Sequence, residues 1–478
     1  MKKKQSVKVI HLLFTGFMAM QVLQVSASVQ EGKKETRSFP DYGKVVAFPG
    51  AEGYGKDATG GRYGEVYHVT NLKDSGEGSF RDAVSQPNRF ILFDVAGIIQ
   101  VQSPITVAKN ITIAGHSAPG DGVVLYGNTV SFSGADNLIC RYLRVRMGVN
   151  GDHGKDAAGI AFGQNMIFDH MSVTWGLDEN FSINHARKGH EGDAPRNITI
   201  QNSIMGQGLH PHSCGGLIQT TSDSGVTLYR NLYIDNKTRN PKVKGLNQFV
   251  NNVVYNWGSG AAYNMGGNSE SISKSVLQNN YFIEGACINY DGNPYKPSRP
   301  LIGYNKNVYT YVEGNYFDDN RDGKLNGRLL TQEDMKMTKD GSTIAPNFVT
   351  EPDAKHPQIN GLMSAPEAYQ WISTWGGASL PARDEVDTYL IEELTSLGKK
   401  GQIIRSEIEQ TPTKGPGSIQ NGSLLKDSDK DGMPDAFEDL YGLDKNDSSD
   451  AMRLASNGYT NLENYLFLLE KEKQEAKK

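Results

Sequence analysis

The sequence predicts an all-β fold, a parallel β-helix with helices on its C-terminal flank and a small acidic module at the end. Two observations carry this. A short alternating apolar run returns eight times in the central chain: NITIAGHS (110–117), NLICRYLRV (137–145), NMIFDHMSV (165–173), NITIQNSIM (197–205), VTLYRNLYI (226–234), FVNNVVYNW (249–257), SVLQNNYF (275–282) and TYVEGNYF (310–317). The composition is low in apolar residues, at 37%, and high in glycine, with 53 among 478 residues. That suits a chain rich in turns.

Residues 1–27 read as a secretory signal peptide: Lys2, Lys3, Lys4 and Lys8 precede an apolar core from Val9 to Leu23, and Val25-Ser26-Ala27 is a small-residue cleavage site. The core is too short for a typical membrane span. Residues 28–44 are a linker. The segment 48–72 is Gly-rich, and 79–95 reads as a short helix followed by a strand; together they are expected to cap one end of the solenoid.

Aligned strand starts fall near 111, 138, 166, 198, 226, 248, 275 and 310. A repeat of this size, with one conserved strand pattern and variable loops, is the signature of a solenoid. Its apolar period of two points to strands rather than helices. Asn recurs at or near each bend, so buried Asn side chains are expected to stack and hydrogen-bond from coil to coil. A β-sandwich or propeller is the competing reading. The solenoid is expected over 45–345, followed by an extension over 346–414. There, 364–376 and 383–400 have helical apolar spacing. Residues 415–478 are a linker and a terminal module.

That module contains Asp427, Asp429, Asp431, Asp435 and Glu438, with Gly432 at the sixth position of a twelve-residue loop. Acids at positions 1, 3, 5, 9 and 12 are the pattern of a calcium loop. The backbone carbonyl of Met433 is available at position 7. Asp444, Asn446, Asp447 and Asp450 form a second, weaker oxygen cluster. With no full helix before it, the loop resembles the calcium repeats of dockerin or thrombospondin type 3 modules, and its place beyond the linker makes its role structural.

A net charge of −5 without a basic patch argues against nucleic-acid binding, and removing residues 1–27 takes the charge to −9. Cys140, Cys214 and Cys287 are too few and too widely spaced for a disulfide framework and read as buried thiols.

The candidate chemistry lies inside the strand ladder. Asp156 ends one repeat, Asp178-Glu179 falls in the next, and Arg239 opens the run Arg-Asn-Pro-Lys-Val-Lys. In register, adjacent coils place Asp156 and Asp178 side by side, where they repel unless a cation bridges them. Arg239 overhangs the same face, with Lys242 and Lys244 beside it. On spacing alone each has an ordinary reading, as turn acids or as half of an ion pair. Asp169-His170 reads as a turn locked by hydrogen bonds.

Taken together these segments resemble the pectate lyases of polysaccharide lyase family one. FDHMSVTWGLDENFS (168–182) resembles that family's W-I-D-H segment and the acidic cluster after it; RNPKVKGLNQFVNNVVYNW (239–257) resembles its R-x-P-x-x-R-G signature. The N-terminal segments 48–72 and 79–99 resemble those of secreted bacterial members. The resemblance implies a right-handed parallel β-helix that cleaves polygalacturonate by β-elimination with Ca²⁺ in its cleft. Arg239 would abstract the proton, and Asp156 and Asp178 would ligate the metal, with Glu179 an added ligand. Two departures stand out. Lys244 replaces the second Arg of the signature, and the family's substrate-binding Lys falls near His210-Pro-His212-Ser-Cys214, so that His210 or His212 would take its place. Trp175, Arg187, Lys188 and Lys242 are further candidates for the sugar cleft. The expected partner is an acidic plant polysaccharide, met by a secreted monomer without a membrane span. A polygalacturonase-type hydrolase and a non-catalytic pectin-binding β-helix are the alternatives.

Overall fold

The computed structural model describes residues 36–185, 194–258, 261–266, 270–287, 299–339 and 341–476. The signal-peptide segment and the candidates Arg187 and Lys188 lie outside them.

The central chain is a parallel β-helix of three sheets. Successive coils add one strand to each; one coil is Leu138–Arg141, Arg144–Arg146 and Ala158–Ile160. The first sheet runs from Glu65–Val69 to Asn347–Phe348, the second from Gly97–Gln100 to Arg328–Leu329 and the third from Ile105–Thr106 to Arg299–Ile302. Leu138, Met166, Ile198, Val226, Asn247, Ser275 and Thr310 are successive register partners in the first sheet. The sequence alignment placed Gln248 in that column; the structure uses Asn247. A slip of one residue exchanges the two faces of a strand. Here Asn247 points inward, where its amide donates to the Gly245 carbonyl and accepts from the Tyr263 hydroxyl.

The bend between the first and second sheets explains the recurring Asn. One corner residue per coil takes positive φ, among them His170, Asn202, Arg230, Asn251 and Asn279. The next residue turns inward. Asn231, Asn252, Asn280 and Asn315 form a buried ladder in which each Oδ1 accepts the backbone N–H of the coil before, at 2.8–3.0 Å. Each Nδ2 donates to a strand carbonyl. The amides thereby satisfy backbone groups that a sharp bend would otherwise leave unpaired in the core.

The Gly-rich segment divides: Glu65–Val69 is the end strand of the first sheet, whereas residues 48–64 do not cap an end as the sequence suggested but lie across the outer face of that sheet, their amides donating to outward side chains: Gly55 to Thr199, Thr59 to Asn137 and Gly61 to Thr112. A Cβ at Gly55 would sit 2.1 Å from the Met166 carbonyl oxygen, so only glycine permits this approach. The short helix Phe80–Ala83, capped by Ser79, packs Phe80 into the main core beside Phe93.

The helices Ala365–Trp375 and Glu385–Thr395 cover the second sheet, joining Tyr369, Ile372, Leu390 and Leu394 to Ile204, Leu232, Val253 and Tyr281. Asp384 and Asp387 reach Arg146 there, all with fully buried side chains. The terminal helix Asn461–Ala476 packs Leu462 and Leu466 on Phe90 and Leu92, tied by a buried Arg62–Glu463 pair at 2.9 Å. Cys140, Cys214 and Cys287 are buried thiols without a disulfide. Among the described residues no helix is long and apolar enough to cross a membrane.

Candidate functional site

The strands of the third sheet present one side chain outward for every one inward. Phe181, Ile183, Ile218 and Val243 face the core; Asn184, Gln219 and Lys244 align on the outer face, as do Leu217, Lys242 and Asn264. Just before these strands the chain stays in register through two isolated bridges, Glu179 with Cys214 and Cys214 with Thr238. This extension of the sheet stacks the segments that hold Asp156, Asp178-Glu179, His212-Ser-Cys214 and Thr238-Arg239.

The stacking brings the predicted residues together. Asp156, Asp178 and Glu179 each place a carboxylate oxygen within 4.8 Å of the other two. Asp156 Oδ1 accepts the Glu179 backbone N–H at 3.0 Å. Arg239, at φ 53°, sets Nη1 directly against Glu179 Oε1. His212 Nε2 lies 2.8 Å from Asp178 Oδ1. Lys242 and Lys244 extend the basic side of the face.

The electrostatics follow from crowding. Burial, then Asp156 and Asp178, push the Glu179 carboxyl up to about 8, and burial raises Asp156. For Arg239 burial works against the charged form, but Cys214 and Glu179 outweigh it and hold the guanidinium above its usual range. Burial, with Lys244 and Arg239 adding, lowers Lys242. Three carboxylates gathered this closely are suited to a hard cation with oxygen ligands.

His210 and Trp175 separate from this group. His210 is buried, its amide bonded to the Ile404 carbonyl. Trp175 is fully buried under the flanking helices, so it cannot line a sugar cleft. Asp169 and His170 lock a corner, as expected: Asp169 accepts from Arg141, Gln201 and Asn202, and His170 stacks on Tyr142. Two participants were missed. Cys214 sits against Glu179, and the His-x-Cys spacing, which keeps the two side chains close in the chain, was the available signal. A buried amide chain, Asn180 to Asn236 to Asn240 at 2.8 and 2.9 Å, joins the residue after Glu179 to the residue after Arg239.

In the C-terminal module Asp427, Asp429 and Asp431 converge, and Asp431 converges also with Glu438 and Asp450. Asp435 does not join them. It turns back to Lys426 and to the Ser428 amide and hydroxyl, holding the chain ahead of the helix Asp435–Tyr441. Asp450 joins the cluster from the segment read as a second one. Both oxygens of Asp429 and Glu438, Oδ2 of Asp431 and Oδ1 of Asp450 are buried without a hydrogen-bond partner. Burial and neighbouring acids push Asp431 to about 7 and Glu438 to about 8. Buried carboxylates left unpaired are costly, and a cation is the group that would satisfy them.

No protein-family model matches the chain. It is 49% identical over 419 residues to a protein of Aspergillus flavus named probable pectate lyase C, covering 88% of this chain and 93% of the relative. The protein of that name in Neosartorya fischeri is 49% identical over 422 residues, with 88% and 92% covered. Among solved structures, the thermostable pectate lyase PL 47 overlays with a TM-score of 0.49 at 16% identity, covering 69% of this chain and 97% of that one; the fold described above rests on strand register instead.

Proposed function

The chain belongs to the pectate lyase family, and we propose that it cleaves de-esterified homogalacturonan by β-elimination, with Arg239 as the base and Ca²⁺ held by Asp156, Asp178 and Glu179. The observation that carries the site assignment is the convergence of those three carboxylates with Arg239 against Glu179.

Bound at the carboxylates, Ca²⁺ would supply Lewis-acid withdrawal of charge from a uronate carboxylate, which acidifies the neighbouring C5–H. The chain's own groups do the rest. Arg239 accepts the C5 proton, the C–H electron pair forms the C4–C5 double bond, and the C4–O bond breaks with its oxygen taking a proton. Arginine is a poor base while protonated. The Glu179 contact keeps it so, and must be given up before the proton moves. Lys242 and Lys244 offer positive charge to carboxylates along the face; Lys244 does so as a point charge, without the bidentate fork of an arginine. His212 is the better stand-in for the family's substrate lysine, being exposed where His210 is buried.

On this reading residues 1–27 direct secretion, 45–345 form the lyase body, 346–414 its flanking extension, and 415–478 a structural calcium module of dockerin or thrombospondin type 3 kind, in a secreted monomer acting on plant pectin. Polygalacturonate tested with Ca²⁺ and then with chelator decides the reaction class. Ultraviolet absorbance from an unsaturated uronide, abolished by chelator, is expected. New reducing ends without absorbance would indicate hydrolysis, and binding without either would indicate an adhesin.

A further inference from the structure

We propose that Glu179, His212 and Cys214 form a second metal site in the wall of the cleft, selective for Zn²⁺, and that its occupation stops the lyase. A carboxylate oxygen, an imidazole nitrogen and a thiol sulfur lie within 4.8 Å of one another there. The grouping follows from the fold: Glu179 and Cys214 are bridge partners on adjacent coils, and His212 stands two residues before Cys214, at the bend that follows the His210-Pro211 turn.

The donor set decides the ion. Ca²⁺ takes six to eight oxygens. Mixed oxygen, nitrogen and sulfur ligation is the chemistry of Zn²⁺, which takes four ligands and in open sites three from the protein. Asp156 and Asp178 complete an all-oxygen set with Glu179; His212, itself 2.8 Å from Asp178, and Cys214 complete a softer set with the same acid. Glu179 belongs to both, so the two ions compete.

Binding needs the neutral imidazole and the thiolate. Cys214 releases its thiol proton to solvent, and no oxidation or reduction occurs. Zn²⁺ would draw His212 from Asp178 and take Glu179 out of the carboxylate cluster, leaving the oxygen set for Ca²⁺ incomplete. The ligand set stands by itself, whereas the inhibition rests on the lyase reading.

The test uses the full chain without a histidine tag, with Co²⁺ as the spectroscopic probe for Zn²⁺; the spectra are taken without added Ca²⁺ and the turnover assays with it. Co²⁺ should give a thiolate-to-metal charge-transfer band and tetrahedral ligand-field bands, both bleached by one equivalent of Zn²⁺. Cys214→Ser should lose the thiolate band. His212→Gln, at an exposed position, should weaken Co²⁺ binding at least about tenfold and guards against a folding defect in the cysteine variant. Polygalacturonate turnover by the wild type should fall with Zn²⁺, and the Zn²⁺ needed for half-inhibition should rise at least about tenfold in either variant relative to its own metal-free rate. Absence of the thiolate band in the wild type, or its survival in Cys214→Ser, overturns the site. Equal Zn²⁺ sensitivity in wild type and variants overturns the inhibition. Because the band is read without substrate, a chain inactive on polygalacturonate would leave the site decided and overturn only the lyase reading.

Discussion

Arg239 lies two coils beyond Glu179 along the third sheet, yet its guanidinium rests against that carboxylate. The same acid that would hold a cation therefore holds the base in its charged form. Metal and arginine compete for Glu179, and this gives Arg239→Ala two opposite effects. Turnover should fall by about 10²–10⁴-fold, the range for loss of a general base. Ca²⁺ affinity should rise, because a cation is removed from the ligand cluster. Uronide absorbance and Ca²⁺ calorimetry on one protein measure both. Weaker Ca²⁺ binding in the variant would contradict the competition.

The terminal module makes a second prediction. Asp450 and Asp435 differ by placement, not by chemistry. Asp450 shares the buried cluster with Asp431 and Glu438, whereas Asp435 is spent on Lys426 and Ser428. Ca²⁺ at a hundred times its Kd would stabilise the native state by about 2.7 kcal/mol. Chelator should lower the melting temperature of the wild type. Asp450→Asn should erase most of that difference; Asp435→Asn should keep it while lowering stability with and without metal. Thermal unfolding of the three proteins with and without chelator is the measurement, and an unchanged chelator shift in Asp450→Asn would count against its role as a ligand.

These two sites show what a linear reading captures. The strand ladder was legible because burial of one face imposes a period of two, and the inward Asn at each bend recurs with the coil. On spacing alone the acids and Arg239 had ordinary readings, and it was the resemblance of their segments to the pectate lyase motifs that singled them out. Side-chain direction was not. Gln248 and Asn247 are both polar neighbours, and only the Tyr263 hydroxyl and the Gly245 carbonyl decide which turns inward. Asp435 fits a calcium pattern by spacing, but a lysine nine residues earlier claims it. Trp175 looks like a sugar platform until helices distant in sequence cover it. The Gly-rich segment has no periodicity of its own, because its shape is dictated by the sheet it lies on.

A second segment, residues 356–363, also lies on the outer face of the first sheet, its Pro357, Gly361 and Met363 carbonyls accepting from Gln248, Tyr229 and Asn251, and it meets the Gly-rich segment where the Tyr54 hydroxyl lies 2.9 Å from His356 Nδ1. Burial lowers His356 from 6.5 to about 4. The unfolded chain therefore binds a proton more readily than the folded one over that interval. Stability from the neutral imidazole is present above about 6.5 and is lost as pH falls toward 4. His356→Gln should be less stable than wild type at neutral pH, with the gap narrowing on acidification. Urea unfolding at several pH values across the interval tests this, and a gap that stays constant would show that the imidazole does not titrate there.

The buried amide chain supplies the last prediction. Asn236 Oδ1 accepts from Asn180 and from the Gly208 amide; its Nδ2 donates to Asn240 and to the Met205 carbonyl. Asn180 follows Glu179 and Asn240 follows Arg239, so one side chain spans the backbone of both halves of the site. Asn236→Ala leaves several buried polar groups unpaired, at about 1–3 kcal/mol each. A purely structural role would lower stability alone. A positioning role lowers the rate as well, because displacement of Arg239 from the cluster by about 1 Å can cost a hundredfold. The expected result is a fall in kcat with KM little changed, since Lys242 and Lys244 lie on the outer face away from the amide chain. Asn236→Asp keeps acceptance from Asn180 and Gly208 but loses donation to Asn240, so it should recover the Glu179 side without the Arg239 side. Ca²⁺ affinity near wild type with a depressed kcat in Asn236→Asp would show that this amide holds the base in place. A kcat restored along with stability would assign it to folding only.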